Sequence, residues 1–222
     1  TTGAATAVGG LGFNAEMRGL AFSANGTLFA ADVNTDTLYT INTTTGAASA
    51  VGAFGIPTNM FSLAFNSSGT LYGVDVDANE LVTIDTTTGA AVIGNLGFGT
   101  VAGLAFDSND NLFGVDRASD RLISINDGTG AGTAIGALGF IGVSALAFDS
   151  NDTLFGVDAN TDLLLTVDTV TGAGTAIGPT GFNDLQGISF QPDAVPEPSA
   201  LIVLVLGLTG LGLMRRNLAA RG

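Results

Sequence analysis

The chain has no cysteine, no histidine and no tryptophan among its 222 residues. Without cysteine it has no disulfide bonds and no thiol chemistry. Without histidine it lacks the commonest general base and metal ligand of proteins, so a serine nucleophile would have no histidine beside it. Tyr39 and Tyr72 are its two tyrosines, which leaves few platforms for stacking on sugars. We therefore predict no catalytic residues.

Positive charge is also scarce. Twenty acidic residues face six basic ones, all of them arginine, and Arg215, Arg216 and Arg221 lie close to the end of the chain. The remainder is strongly acidic, which argues against nucleic acid or an anionic membrane surface as a partner. The 33 glycines and the low charged fraction of 12% predict a β-rich protein with many tight turns.

An apolar strand that ends in phenylalanine recurs about every 42 residues. Each copy is followed by a polar turn, a second and a third apolar strand, a Thr/Gly turn and a fourth strand. Four short strands per unit predict an all-β fold, a β-propeller with one blade per unit. A solenoid β-helix is the alternative, but its coils are usually nearer 20 residues. The recurring phenylalanines are Phe22, Phe65, Phe106, Phe148 and Phe190.

The repeat predicts four complete blades between about residues 19 and 179, plus a partial fifth blade. Residues 1–13 match the end of a blade, and residues 187–190 match a first strand. A ring of four and a half blades would leave exposed strand edges. We therefore predict an N-terminally truncated piece of a larger ring, of six or seven blades, which alone forms an arc or a strained closure.

The second and third strands of the units, as in residues 71–89, resemble the repeats of YVTN- and NHL-type propellers. Surface-layer proteins use such repeats. The resemblance implies the propeller fold more than it implies a function.

Acidic and amide side chains recur between the second and third strands. Oxygen ligands at alternate positions are typical of Ca²⁺ loops, although the glycine and glutamate of an EF-hand are missing here. The other interpretation, which we favour, is that these residues bond their own backbone and shape hairpin turns. The turn at 149–152, after a first strand, is interpreted in the same way. Ca²⁺ stays the alternative cofactor. Its predicted ligands are Asp32, Asn34, Asp36, Asp75, Asp77, Glu80, Asp116, Asp120, Asp158, Asn160 and Asp162.

The C-terminal region has three parts. The motif Val195, Pro196, Glu197, Pro198 precedes the uncharged run 200–214, and Arg215 and Arg216 follow it directly. As a helix the run would span about 22 Å, less than the roughly 30 Å hydrocarbon core, which suits a marginal membrane anchor. Basic flanks stay in the cytoplasm, so residues 1–199 are predicted to lie outside.

These three parts resemble the PEP-CTERM sorting signal of Gram-negative bacteria. The resemblance implies that an exosortase, a membrane transpeptidase, recognises residues 196–198. It also implies a link to extracellular polysaccharide and biofilm. An ordinary C-terminal membrane anchor is the alternative for the same residues. A buried core helix is a further alternative, which the charged residues that follow the run disfavour.

The sequence thus predicts a propeller domain at 1–193, a sorting motif at 194–199, a transmembrane helix at 200–214 and a basic cytoplasmic tail at 215–222. The predicted protein is exported and held at the inner membrane or released. There it acts as a non-catalytic binding or structural module for polysaccharide or protein. The alternatives are a Ca²⁺-stabilised adhesin and a metal-dependent lactonase- or lyase-like propeller.

Overall fold

The computed structural model describes residues 4–55, 59–86, 89–192 and 201–202; for 89–91 and 201–202 it describes the backbone only. Four antiparallel sheets of four strands follow one another along the chain. Blade one contains β1 (Met17–Phe22), β2 (Leu28–Asp32), β3 (Thr37–Ile41) and β4 (Ala48–Ala53). Blade two contains β5 (Met60–Phe65), β6 (Leu71–Asp75), β7 (Glu80–Asp85) and β8 (Gly89–Asn95).

The next two blades repeat this arrangement. Blade three contains β9 (Val101–Phe106), β10 (Leu112–Asp116), β11 (Arg121–Ile125) and β12 (Gly132–Ala137). Blade four contains β13 (Val143–Phe148), β14 (Leu154–Asp158), β15 (Leu163–Val167) and β16 (Gly174–Pro179). A final antiparallel pair is formed by β17 (Ser189–Phe190) and β18 (Leu201–Ile202). The predicted propeller of four-stranded blades is confirmed, and the blades are antiparallel sheets rather than β-helix coils.

Stacking of neighbouring blades builds the core. Between blades two and three, Tyr72, Val74 and Leu81 share one buried cluster with Leu112 and Ile125 of the following blade. The second strands are covered on both faces, and every residue of β6, β10 and β14 is buried. Their sequences are therefore continuous apolar runs rather than alternating ones. Each fully buried aliphatic side chain contributes about 1.5–3 kcal/mol to this packing.

The inner strands close around an axis. Contacts join β1 to β5, β5 to β9, β9 to β13, β13 to β17 and β17 back to β1. Buried serine hydroxyls tie neighbouring blades together near the axis. Ser62 Oγ accepts the Leu104 N–H at 2.7 Å, and Ser189 Oγ accepts the Phe22 N–H at 3.1 Å. Of the two expected shapes, the described residues therefore form a closed ring and not an arc. The blade number of a longer protein stays a prediction.

The fifth blade is built from both ends of the described chain. Strand β17 is its inner strand, and residues 4–11 lie where the other blades have their outer strand. The Ala5 N–H donates to Thr180 O of blade four at 2.8 Å, and Leu11 O accepts the Ala48 N–H of blade one at 3.0 Å. The hydrogen bond from Gly132 N–H to Leu96 O joins blades two and three in the same way as the bond from Ala48 to Leu11 joins blades one and five.

A close approach of two backbones repeats at the same place. A Cβ on Gly9 would lie 2.0 Å from Thr45 O, just as a Cβ on Gly136 would lie 2.0 Å from Thr171 O. Residues 4–11 therefore form the inter-blade contacts of an outer strand, although they pair with no third strand among the described residues.

The predicted transmembrane helix at 200–214 falls largely outside the described residues, as do the sorting motif at 195–198 and Arg215 and Arg216. At Leu201–Ile202 the structure has a strand paired with β17 where the sequence predicts the start of a helix. In the described part of the chain, no helix has the length and apolarity needed to cross a membrane.

Candidate functional site

Four aspartates end the second strands and turn their carboxylates into the hairpin that follows. They are almost completely buried: Asp32 0%, Asp75 5%, Asp116 4% and Asp158 0% exposed. Each accepts the backbone N–H two residues further on, at distances from 2.9 to 3.1 Å. A buried carboxylate needs such donors, because desolvation without them is costly. These residues therefore act as caps of the second-to-third-strand turns.

Two of these carboxylates also hold the segment that enters the first strand. Asp32 Oδ1 accepts the Glu16 N–H at 3.2 Å, and Asp75 Oδ1 accepts the Asn59 N–H at 3.3 Å. Hydroxyl groups complete two of the caps, because Thr35 donates to Asp32 Oδ2 and Ser119 donates to Asp116 Oδ2.

A second set of turn residues adopts a left-handed backbone. Asp36, Asn79, Asp120 and Asp162 have φ between 49° and 58°. Asp and Asn tolerate this region better than other residues with a Cβ. Each presents its carbonyl to an N–H beyond the fourth strand of the same blade, for example Phe54 N–H to Asp36 O at 2.8 Å. Asn79 was not among the predicted residues. Its position four residues after the buried aspartate could have identified it as a turn residue.

The remaining predicted ligands point to other partners. Asp77 Oδ1 accepts the Asn59 side-chain amide at 3.2 Å, and the Asn160 amide donates to Ile141 O at 2.7 Å. Asp162 Oδ1 accepts the Asp184 N–H at 2.9 Å, while Glu80 begins β7 opposite Asn95. Among the residues that the structure describes, no three acidic side chains converge as a metal site.

Asp158 departs from the other caps. Its Oδ1 accepts the Asn160 and Thr161 N–H groups at 2.9 and 3.3 Å, but its buried Oδ2 has no hydrogen-bond partner among the described residues. Thr161 stands where Thr35 and Ser119 donate a hydroxyl in blades one and three. A rotation of the Thr161 side chain would supply the missing donor, and a cation would also satisfy this oxygen.

On the opposite ends of the blades, two exposed aspartates bridge neighbouring first-to-second-strand turns. Asp110 accepts from Ser67, and Asp152 accepts from Ser108, in each case from both the hydroxyl and the backbone N–H. These hydrogen bonds, the hydroxyl first, lower the pKa of both carboxyls below 3.8. The pKa of Asp168 is also lowered, chiefly by the backbone N–H of Thr171.

The ring axis holds a cavity of about 120 Å³. It is bounded by one triplet from each inner strand: residues 20–22, 63–65, 104–106, 146–148 and 188–190. Of these lining residues, Ser189 alone has a polar side-chain atom, and its oxygen is engaged by Phe22 N–H. The cavity offers a ligand backbone edges, apolar side chains and the Ser189 hydroxyl, and none of its lining residues is acidic or basic.

One group of side chains breaks the repeat at the ends of the inner strands. Position 18 is arginine, and the equivalent residues of the other blades are Phe61, Ala102, Ser144 and Gln186. Ala102 and Ser144 are buried, whereas Arg18, Phe61 and Gln186 are partly exposed. Gln186 belongs to blade five, Arg18 to blade one and Phe61 to blade two, and the inner strands of these three blades are neighbours.

Arg18 is held from two sides. Its guanidinium carbon lies 3.9 Å from the Phe61 ring centroid, and its Nε donates to Glu16 Oε1 at 3.1 Å. Gln186 occupies the equivalent position in the neighbouring blade five, and its amide donates to Asp184 Oδ1, so this region of the rim presents donors, acceptors and one aromatic face. We call Glu16, Arg18, Phe61, Asp184 and Gln186 the rim patch. It was not predicted, because it is visible only after the repeats are aligned on the inner strands.

Comparison with known proteins gives the fold. No family model matches the chain, and no curated protein sequence matches it. Among solved structures it is similar to virginiamycin B lyase from Staphylococcus aureus, with 14% identity over 87% of this chain and 65% of that chain and a TM-score of 0.56. It is also similar to a chain of the nidogen/laminin complex, with 17% identity over 79% of this chain and 69% of that chain and a TM-score of 0.61.

A third similar structure is regucalcin from Agrobacterium tumefaciens, a calcium-binding protein, with 13% identity over 80% of this chain and 79% of that chain and a TM-score of 0.54. The chain spans 61% and 65% of the lengths of two lyase chains that it resembles. At these identities the likeness establishes the β-propeller and no shared activity.

Proposed function

We propose that this chain is the exported, non-catalytic binding module of a surface protein, and that it contacts neutral polysaccharide through the rim patch. The observation that carries this proposal is the departure of Arg18, Phe61 and Gln186 from an otherwise repetitive ring. The stacking of the partly exposed Arg18 on Phe61 is not part of the packing that the other blades repeat, since the equivalent residues of blades three and four are the buried Ala102 and Ser144. Local departures from the structural pattern are expected at functional sites.

The chemistry of the rim patch suits a polyhydroxylated ligand. Arg18 and Gln186 offer N–H donors, Glu16 and Asp184 offer acceptors, and the Phe61 ring offers a face for the C–H groups of a sugar. The strongly acidic chain repels acidic polymers, which favours a neutral glycan. Catalysis is disfavoured because the buried aspartates already serve the backbone of their own turns.

The sorting sequence supports export. Pro196, Glu197 and Pro198, followed by the apolar run and by Arg215 and Arg216, are the residues that exosortase would recognise and that would orient the domain outward. In cells of the native host, added protease should digest the propeller from outside the inner membrane. Substituting Pro196 and Pro198 with Ala should leave the unprocessed form in the membrane fraction. A propeller protected inside intact spheroplasts contradicts the location.

Binding is tested by affinity electrophoresis and calorimetry with soluble neutral glucans, and with alginate as an acidic comparison. Arg18→Gln and Phe61→Leu should each weaken glucan binding about tenfold or more, since each removes one of few contacts. Arg117→Gln, on the second-to-third turn of blade three, is the matched control and should bind unchanged. If Arg18→Gln, Phe61→Leu and Arg117→Gln bind glucan equally well, or if the parent protein binds no glucan, the rim patch is rejected as the glycan-binding site.

A Ca²⁺-stabilised adhesin is the second candidate, favoured by the buried Oδ2 of Asp158, which has no hydrogen-bond partner in the described part of the chain. A bound ion would raise the melting temperature in millimolar Ca²⁺ and chelator would reverse the rise. Asp158→Asn should abolish that shift. An unchanged melting temperature with and without chelator removes this candidate and leaves the rim patch untouched.

A further inference from the structure

The fifth blade contains an open slot between its two ends. Its inner strand β17 and its outer segment, residues 4–11, are seated like their counterparts in the other blades. A complete blade has a second and a third strand between them. Among the described residues, only Leu201–Ile202 enters that space.

The register of this short strand is that of a second strand. Phe190 pairs with Leu201, as Phe22 pairs with Leu28 in blade one and Phe148 pairs with Leu154 in blade four. The next pair is Ser189 with Ile202, where blade one has Ala21 with Phe29. The backbone of 201–202 thus has the register of a second strand, although ten residues (191–200) separate it from β17 along the chain.

The face of blade one that borders the slot is already covered. Leu28 is 1% and Ile41 5% exposed, and both belong to a buried cluster with Met17, Leu20 and Phe22. In the complete interface between blades two and three, the equivalent Leu112 and Ile125 are covered from the preceding blade by residues of its second and third strands. In the blade-one cluster, the described residues of the fifth blade contribute Leu11 alone.

We propose that the apolar C-terminal segment starting at Leu201 is a donor strand that fills the second-strand position of the fifth blade. The sequence 201–206 reads Leu-Ile-Val-Leu-Val-Leu, a continuous apolar run with three β-branched residues. Such a run suits a strand covered on both faces. The position that corresponds to the aspartate at the end of β2 is Val205 in this segment.

The third position of this segment is larger than in the other blades. It is Val203, where the second strands have Ala30, Gly73, Gly114 and Gly156. In blade three a Cβ at Gly114 would lie 2.9 Å from the side chain of Ile125, in the third strand, and 3.1 Å from that of Val101, in the first strand. The fifth blade has no third strand among the described residues, so the first of these two obstacles to a larger side chain is missing there.

The docked segment is the same one that resembles a membrane anchor. A strand in the slot cannot at the same time be a helix in the bilayer, because backbone pairing with β17 and membrane insertion use the same residues. The propeller therefore competes with the membrane for its own tail. Insertion of the tail uncovers the apolar face of blade one and the free edge of β17.

The experiment uses the full chain in solution. Hydrogen exchange read by mass spectrometry should show slow exchange in β2, β3 and β17, and Leu201→Asp with Ile202→Asp should speed it at least tenfold there. Leu211→Asp is the control, because it lowers the hydrophobicity of the same run outside the proposed strand. Unchanged exchange in the double variant overturns the proposal. Protection that falls on dilution identifies a second copy as the occupant and overturns it as well.

A crosslink tests the register without weakening the segment. The chain has no cysteine, so Ser189→Cys with Ile202→Cys can form a single disulfide. Oxidation should close it within one molecule, while Ser189→Cys with Leu211→Cys should stay reduced or crosslink between molecules. Equal intramolecular closure in both pairs, or closure in neither, contradicts a fixed second-strand register. With vesicles of phosphatidylcholine and phosphatidylglycerol, the closed form should bind less membrane than the reduced form.

Discussion

The carboxylate of Asp110 receives two hydrogen bonds from one residue of the neighbouring blade, Ser67, whose backbone N–H and hydroxyl lie 2.7 and 2.5 Å away. Asp152 and Ser108 repeat the relationship one blade further on. Both acceptors are charged, and both pKa values lie below 3.8 because the donors stabilise the ionised form. These contacts join adjacent blades through groups that titrate in acid.

The first prediction concerns acid stability. Since the folded pKa values are lowered, the contribution of Asp110 and Asp152 is complete above the unfolded pKa of about 4 and is lost as the pH falls through the folded values. Thermal melts from pH 6 to pH 2 should give a steeper loss for the parent protein than for Asp110→Asn with Asp152→Asn. The difference should amount to at most about two protons taken up on unfolding.

Ser67→Ala and Ser108→Ala are the matched variants for that series. Each removes the hydroxyl, the larger cause of the lowered pKa, and leaves the carboxylate in place. Their acid profile should approach that of the asparagine variants. Four superimposable profiles are incompatible with the assigned hydrogen bonds.

Asp75 should matter more for stability than Asp77. Asp75 is 5% exposed and its Oδ1 accepts three backbone N–H groups, including that of Asn59. Asp75→Ala leaves these donors without their acceptor and should lower the free energy of unfolding by about 2–4 kcal/mol. Asp77→Ala removes one exposed contact and should cost less than about 1 kcal/mol. Urea denaturation measures both, and equal losses are the contrary result.

Two adjacent glycines test the outer segment of the fifth blade. A Cβ on Gly9 would meet Thr45 O at 2.0 Å, whereas a Cβ on Gly10 meets no described atom within 4 Å. Gly9→Ala should lower the free energy of unfolding by about 1–3 kcal/mol, because backbone atoms must move apart. Gly10→Ala should stay within about 0.5 kcal/mol of the parent. Should Gly9→Ala prove as harmless as its neighbour, residues 4–11 do not pack as an outer strand.

Ser62, the buried serine of blade two, is predicted to hold neighbouring inner strands together. Ser62 Oγ accepts the Leu104 N–H at 2.7 Å, and removing it leaves that amide buried without its acceptor. Ser62→Ala should therefore cost about 1–3 kcal/mol in the free energy of unfolding. Ser68→Ala, which changes an exposed turn, is the control and should be close to neutral. A loss confined to Ser68→Ala would point to the turn as the more important contact.

The blades could be predicted from sequence because their signals are local and repeated. The apolar run of β10, its terminal Asp116 and the glycines of the turns each have a direct physical reason to occur where they do. The carboxylate of Asp32 bonds the Asn34 N–H of its own turn, as the turn interpretation of these residues expects. Because the unit is repeated, each of its strands could be predicted from several copies.

Closure of the ring and the rim patch could not be predicted in the same way. The bond between Ala5 and Thr180 joins residues far apart in the sequence, and its existence depends on the number and tilt of the blades between them. The stacking of Arg18 on Phe61 likewise joins two different repeats. At Leu201–Ile202 composition favours both a membrane helix and a buried strand, and it is the backbone pairing with β17, a contact between distant residues, that makes these two residues a strand.

The uniform contacts between blades have an evolutionary consequence. The backbone approach of Gly136 to Thr171 and that of Gly94 to Thr129 are the same contact made by different repeats. Duplication or loss of one whole unit would thus regenerate a compatible junction without any compensating substitution. Recombination of the gene within such an array can add or remove blades, because each new pair of neighbouring blades already fits.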